Sequence, residues 1–298
     1  MIARGVAKHF GPVRALEGCD LEVNAGECLG LLGPNGAGKS TFIGCLYGVV
    51  ERTGGELTVF GLDPQRTPFA IKSRIGVVPQ ENALDEGLTV IENMRLYARF
   101  ARLPRRLAAE RISALLAHMS LDHKQDAPIR TLSGGMKRRL AFVRALLADP
   151  EFLILDEPTT GLDPTVRHII WERVLGYRQA GKTVLVTTHY MHEAELLCNR
   201  IIILDGGKVI ATGSPRDLID HHAPGFVAYF ESAAKVRPAV RPEFTVFEQG
   251  RQFCVRAPQF EDLIDLQQSA AVSAVQIRPA NLEDVYLKLT GHMLAEDE

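Results

Sequence analysis

The stretch Gly33-Pro34-Asn35-Gly36-Ala37-Gly38-Lys39-Ser40-Thr41 satisfies the pattern GxxxxGK[ST]; it follows the apolar run Leu29 to Leu32 and precedes a helix predicted to open at Lys39. That setting is the one a phosphate cradle requires. Glycines let successive backbone N–H groups turn inward on phosphate oxygens, and the helix N-terminus adds its partial positive charge. The Lys39 ammonium can reach the β and γ phosphates, and the Ser40 hydroxyl suits Mg²⁺. By itself the motif does not separate ATPases from nucleotide kinases or GTPases.

Downstream, Phe152-Leu153-Ile154-Leu155-Asp156-Glu157 is an apolar strand ending in two carboxylates. In an open parallel sheet ligands collect at the carboxyl ends of the strands, so the pair is delivered beside the phosphate loop. One carboxylate can serve Mg²⁺ and the other can polarise a water.

Further continuous apolar runs bounded by turn residues occur at Cys28 to Leu32, Ile75 to Val78, Thr183 to Thr187 and Ile201 to Leu204. Runs that do not alternate suit strands buried on both faces, and helical stretches lie between them, so the core is predicted to be α/β with a parallel sheet. From Asn82 to Pro150 the pattern turns helical, as in Ile91 to Tyr97 and Ile112 to Met119. A helical subdomain is predicted there, about 82–150, inside a first domain of residues 1–221. After His221 to Gly225 short alternating runs return at Val227 to Phe230, Phe244 to Phe247, Phe253 to Arg256 and Ala274 to Ile277, with helices near Glu261 to Gln268 and Leu282 to Leu289. Residues 222–298 therefore read as a small α+β accessory domain.

Composition narrows the class. The chain has 298 residues with 34 basic and 36 acidic side chains, a net charge of −2, which excludes a basic nucleic-acid coat. Hydrophobic residues make up 46%, enough to bury a sizeable core. The five cysteines, Cys19, Cys28, Cys45, Cys198 and Cys254, form no CxxC pair, so neither a disulfide framework nor a zinc site is written here, and a reducing compartment fits. Neither a secretory leader nor an apolar run near the ~20 residues needed to span a bilayer is found.

Four more features complete a pattern: Leu132-Ser133-Gly134-Gly135-Met136 before a helix, Gln80 after the strand Ile75 to Val78, Gly161-Leu162-Asp163 after the carboxylates, and His189 after the strand Thr183 to Thr187. In this order they resemble the nucleotide-binding subunit of ATP-binding cassette (ABC) transporters, over essentially residues 1–220. Within that family the chain resembles ATPases of the ABC-2 exporter type, in particular NodI-type nodulation-factor exporter ATPases. That resemblance rests on Ser133-Gly134-Gly135-Met136-Lys137-Arg138-Arg139, on Glu157-Pro158-Thr159-Thr160-Gly161-Leu162-Asp163-Pro164 with Ile170-Trp171-Glu172-Arg173, and on the tail from Asn281 to Gly291.

The resemblance implies a P-loop ATPase that binds ATP at Gly33, Pro34, Asn35, Gly36, Ala37, Gly38, Lys39, Ser40 and Thr41, with Phe10 stacked on adenine. It implies Mg²⁺ held by Ser40, Gln80 and Asp156, with Gln80 sensing the γ-phosphate and its loop coupling to the membrane partner. Glu157 becomes the general base or water-positioning carboxylate, and His189 holds the γ-phosphate. Ser133, Gly134 and Gly135 offer a hydroxyl and two amides at a helix N-terminus, an anion site in its own right. In the family that segment faces the ATP of a partner subunit, and Asp163 contacts that partner. Met136 stands where many relatives carry Gln, and a thioether donates no hydrogen bond there. The implied assembly is a homodimer, or a pair with a homologous ATPase subunit, on separate integral membrane permease subunits. It would lie on the cytoplasmic face of the inner or plasma membrane and bind no nucleic acid. The implied substrate class is lipo-oligosaccharide, polysaccharide or drug.

Two other functions compete. A soluble ABC ATPase acting on ribosomes or DNA ends would carry tandem cassettes or a long coiled-coil insertion, whereas one phosphate loop occurs and the Gln80 to Ser133 separation is short. A small-molecule phosphotransferase would leave Leu132 to Met136 without a purpose. His189, His192, Glu193 and Glu195 crowd together, but with His189 assigned to phosphate a metal site is set aside. Lys137-Arg138-Arg139 with Arg144 reads as a solvated helix face near phosphates.

Overall fold

The continuous apolar runs are strands of one sheet. The structure, a computed structural model, describes residues 1–81, 83–231, 241, 243–249, 252–270 and 273–291; Asn82, the expected start of the helical insertion, lies outside the described residues, as do 232–240 and 292–298 of the expected accessory domain. The first of two compact units, Met1–Thr212, contains in order β1 (Ile2–Phe10), β2 (Val13–Glu22), β3 (Cys28–Leu32), α1 (Lys39–Leu46), β4 (Gly54–Thr58), α2 (Pro68–Lys72), β5 (Ile75–Val78), α3 (Val90–Phe100), α4 (Arg105–His118), α5 (Gly134–Leu146), β6 (Phe152–Asp156), α6 (Pro164–Gln179), β7 (Thr183–Thr188), α7 (Met191–Leu197), β8 (Arg200–Asp205) and β9 (Lys208–Gly213).

Six strands form a sheet in the order β5-β6-β7-β3-β8-β9. The first five run parallel, with Leu32 opposite Thr188 and Asp156 opposite Thr187. Because β3 and β6 are buried at every position, each needs apolar residues on both faces, which is why their sequences do not alternate. The shared direction brings the ends of β5, β6, β7 and β3 to one edge of the sheet. Residues following those ends are the phosphate loop, Glu157, His189 and, two positions after β5, Gln80.

A second sheet, antiparallel in the order β2-β1-β4, has no counterpart among the predicted strands. Its register slips between Ala3 and Val6, again before Lys8 and again before His9, so the period-2 pattern that would reveal a strand is broken. Leu16, Leu21 and Leu57 of this sheet share one core with Phe42, Ile43 and Leu46 of α1 and with Leu29, Ile154 and Leu185 of the parallel sheet.

Helices in and just after the helical segment begin on clear start signals. Thr89 and Glu92 form a reciprocal capping box on α3, Ser133 Oγ accepts from Met136 N at 3.3 Å to cap α5, and Asp163 Oδ1 accepts from Val166 N at 3.0 Å to cap α6. Around β4, Arg52 Nη1 and Nη2 donate to the two Asp63 oxygens at 2.9 and 2.8 Å. This paired bond holds the Asp63 carboxyl down at about 2. Stability from the pair is therefore full above the ordinary aspartate value and is lost as pH falls through about 2. The melting-temperature gap between wild type and Arg52→Gln is expected to be constant at neutral pH and to close on acidification across that window, read by thermal melts.

The second unit, Gly213–Glu298, contains α8 (Pro215–His222), β10 (Phe226–Glu231), β11 (Thr245–Gln249), β12 (Gln252–Ala257), α9 (Phe260–Ala270), β13 (Gln276–Pro279) and α10 (Leu282–Thr290). Its sheet runs β11-β12-β10-β13, all antiparallel. Ala228, Phe230 and Val255 on one face pack against Leu263 and Leu266 of α9. The units divide before α8, which packs on α10; the sequence boundary of 221/222 lies at the other end of that helix.

Candidate active site

At the end of β3 the chain turns back on itself to enter α1. Gly38 has φ 103°, and a Cβ there would stand 2.3 Å from Ala15 O, so only glycine fits. Asn35, Gly36 and Ser40 are exposed, leaving the crown of the loop open. Lys39 is buried and folds over the loop, its Nζ donating to Gly33 O at 2.7 Å and Pro34 O at 3.1 Å. Ser40 Oγ donates to Asp156 Oδ1 at 3.4 Å, and Thr187 Oγ1 donates to the same oxygen at 2.5 Å. A hydroxyl and a carboxylate side by side are hard oxygen donors of the kind Mg²⁺ takes together with phosphate oxygens and water.

Glu157 leaves β6 in a left-handed conformation, φ 45°, which costs a non-glycine residue about 1–2 kcal/mol. The turn is held by Glu157 N, which donates to Thr187 O at 3.0 Å and Thr187 Oγ1 at 3.1 Å. It aims the side chain back at the phosphate loop: Oε1 lies 3.4 Å from Lys39 Nζ, and Oε2 lies 3.4 Å from His189 Nδ1 and accepts from Thr160 Oγ1 at 3.3 Å. The His189 ring holds the Glu157 carboxyl below the usual glutamate range, against the opposing effect of burial and with help from Lys39. An ionised carboxylate between an ammonium and an imidazole, beside a phosphate cradle, can orient and deprotonate an attacking water.

Of the residues singled out in the sequence, the structure brings Lys39, Ser40, Asp156, Glu157 and His189 into this one cluster. Gln80 is joined to it through its backbone, its carbonyl accepting from Arg138 Nη1 at 3.1 Å. Phe10, Ser133 to Met136 and Asp163 have other surroundings. Phe10 is half exposed at the end of β1 with Lys8 Nζ 4.6 Å from its ring centroid. Ser133 and Gly134 are exposed at the N-terminus of α5. Asp163 is exposed and caps α6.

Sequence reasoning misplaced one residue of the site and, having set aside a metal role for Glu193, gave a second residue no role. Arg138, read as part of a solvated helix face, is 4% exposed. Burial lowers its guanidinium to about 10, so it stays charged at neutral pH beside Asp156, Glu193 and Glu157. A signal existed: Arg138 falls three, four and seven positions before Ala141, Phe142 and Ala145, on the buried face of α5. Its neighbours are half-buried, Lys137 Nζ pairing with Glu86 Oε1 at 2.7 Å and Arg139 Nη1 donating to Met119 O at 2.7 Å. Glu193 is fully buried, its Oε1 accepting from Thr159 Oγ1 and Trp171 Nε1, both at 2.8 Å, and burial pushes its carboxyl up. It fastens the segment after Glu157 to α6 and α7.

Fold and cluster together define a P-loop nucleoside triphosphatase with a helical insertion. The family model for the ABC transporter matches residues 16–160. The Nod factor export ATP-binding protein I of Cupriavidus pinatubonensis (strain JMP 134 / LMG 1197) is 44% identical, over 98% of this chain and 91% of its own length. A solved ATP-binding subunit of an ABC transporter superposes with TM-score 0.69 at 31% identity, covering 73% of this chain and 91% of that one. The cassette MJ0796, solved as a dimer in a post-hydrolysis state with ADP and Pi, superposes with TM-score 0.66 at 27% identity, over 72% of this chain and 97% of that one. The chain belongs to the ABC transporter family, as an ATP-binding and ATP-hydrolysing subunit.

Proposed function

We propose that this ATPase is the energy-coupling subunit of an ABC-2 type exporter of an amphiphilic lipo-oligosaccharide. The observation that carries this reading is the near full-length similarity to Nod factor export ATP-binding proteins, which extends through the accessory domain. Among the described residues no helix is long and apolar enough to cross a membrane, so the reading assigns the transport path to separate integral membrane subunits. The ATPase would sit on the cytoplasmic face of the membrane through them.

The chemistry follows from the cluster. Loop amides of residues 35–41 and the Lys39 ammonium take the β and γ phosphates, Lys39 exchanging its loop carbonyls and Glu157 for phosphate oxygens as ATP enters. Ser40, Asp156 and Gln80 would hold Mg²⁺, which would supply positive charge to offset the charge that develops on the phosphates. Glu157 orients and deprotonates the water that attacks the γ-phosphate, His189 holds that phosphate, and the half-exposed Phe10 stacks on adenine. Ser133, Gly134 and Gly135 complete the site of a second copy, Asp163 contacts that copy, and Met136 adds only apolar contact.

A groove of about 740 Å³ supports coupling to a membrane partner. Its walls include Phe69 of α2, 86% exposed, and Phe100 of α3, 71% exposed. Two of its lining residues grip the segment after Gln80: Tyr97 Oη donates to Ala83 O at 2.7 Å and Arg144 Nη1 to the same carbonyl at 2.5 Å. A cytoplasmic helix of the permease seated there would press directly on the Gln80 loop. Capture of the full chain from detergent-solubilised native membranes should bring down an integral protein identifiable by mass. Phe69→Asp with Phe100→Asp should release the chain to the soluble fraction with ATP binding retained. Recovery of wild type wholly in the soluble fraction, with no integral protein, would overturn the reading.

A further inference from the structure

Arg138 reaches inward from α5, five positions after its cap Ser133, and every one of its N–H groups has a main-chain carbonyl. Nη2 donates to Asp156 O at 2.9 Å and Glu157 O at 2.7 Å, and Nε donates to Pro158 O at 2.7 Å. Nη1 donates to Gln80 O at 3.1 Å and also to Pro79 O. A buried arginine ordinarily meets a carboxylate. This one is instead wired to the backbones of two loops that approach ATP from different strands.

Three consequences follow from the geometry. The carbonyls of Asp156 and Glu157 flank the left-handed Glu157 unit, and a single nitrogen bridges them, so the bond pair favours the strained turn over an extended one. The second face of the guanidinium holds the Gln80 segment to the same point. Both attachments originate on the helix whose N-terminus carries Ser133, so a shift of α5 moves the Gln80 backbone and the Glu157 backbone together. An apolar side chain at 138 would leave five buried carbonyl contacts unmade, and a lysine would offer three donors from one atom that cannot span both loops.

We propose that Arg138 is a positioning residue for ATP hydrolysis: it holds Glu157 in the conformation that faces the γ-phosphate and ties that conformation to the Gln80 segment and to the signature helix. This rests on the reading of Glu157 as the water-positioning carboxylate. The prediction is a loss in kcat rather than in nucleotide binding, since the phosphate loop itself makes none of these bonds.

The test uses the full chain with single substitutions Arg138→Met, Arg138→Gln, Arg138→Lys and Glu157→Gln and the double variant Arg138→Met/Glu157→Gln, with circular dichroism to check folding. Fluorescent ATP binding and single-turnover hydrolysis of radiolabelled ATP are measured beside steady-state rates. Arg138→Met should lower kcat at least tenfold with KM and ATP affinity within twofold of wild type. Arg138→Gln, which restores two donors, should regain part of the loss. If Arg138 acts through Glu157, the double variant should turn over no more slowly than Glu157→Gln alone. A folded Arg138→Met with wild-type kcat would overturn the proposal, as would a double variant showing the full product of the two single losses. Should the methionine variant fail to fold, Arg138→Lys decides, with a lowered kcat at unchanged KM supporting the proposal and a wild-type kcat overturning it. Wild-type turnover in Glu157→Gln would instead remove the reading of Glu157, an outcome separable from failure of Arg138→Met alone.

Discussion

Glu157→Gln is expected to bind ATP at least as tightly as wild type and to hydrolyse it 10² to 10⁴ times more slowly, roughly the range for loss of a general base. The amide keeps the size and the hydrogen-bonding reach of the carboxylate but cannot take a proton. It also removes a negative charge that stands 3.4 Å from Lys39 Nζ, so the ammonium is freed for the phosphates and affinity does not fall. Lys39→Ala should behave in the opposite way, since it takes the cation out of the cradle and leaves Glu157 facing the γ-phosphate uncompensated. Measuring nucleotide affinity and turnover on the same preparations separates the two. Equal turnover in purified Glu157→Gln and wild type would remove Glu157 from the chemistry.

The second large effect concerns assembly. One chain presents a phosphate loop and, elsewhere on its surface, the exposed N-terminus of α5 with Ser133 and Gly134 open to solvent. On the proposed reading each is half of a composite anion site, so ATP trapped by Glu157→Gln should join two copies. Size-exclusion chromatography with light scattering is expected to show a monomer without nucleotide and a dimer for Glu157→Gln with ATP. Adding Ser133→Arg should return the trapped protein to a monomer, because the bulky side chain occupies the phosphate contact and displaces the hydroxyl that caps α5. A trapped variant that stays monomeric with ATP at high concentration would count against a sandwich formed by this chain alone.

Much of the site could be read from the sequence because its parts are local. The phosphate loop needs glycines and a lysine at fixed spacing, and a strand buried on both faces must be apolar throughout, so Leu29 to Leu32 and Phe152 to Leu155 announced themselves. Parallel chain direction by itself then places Asp156, Glu157 and His189 at one sheet edge. The antiparallel sheet was less legible. β1 and β2 carry glycines at positive φ and slipped registers, which erase the alternation that marks a half-buried strand.

What the sequence determined by itself is the inventory and its order: a phosphate cradle, a carboxylate pair, a signature segment and a histidine, each on a predictable element. What only the tertiary structure decided is how those parts are held. The left-handed turn at Glu157 has no local signature, since a glutamate does not favour it and the groups that hold it, Thr187 of β7 and the Arg138 guanidinium of α5, come from other elements. The role of Arg138 is hidden for the same reason. In sequence it is the middle of a basic run, and a charged side chain in a helix is ordinarily solvated. Its burial becomes favourable only where carbonyls from the Gln80 segment and from the end of β6 converge, and that convergence is a property of the packed chain.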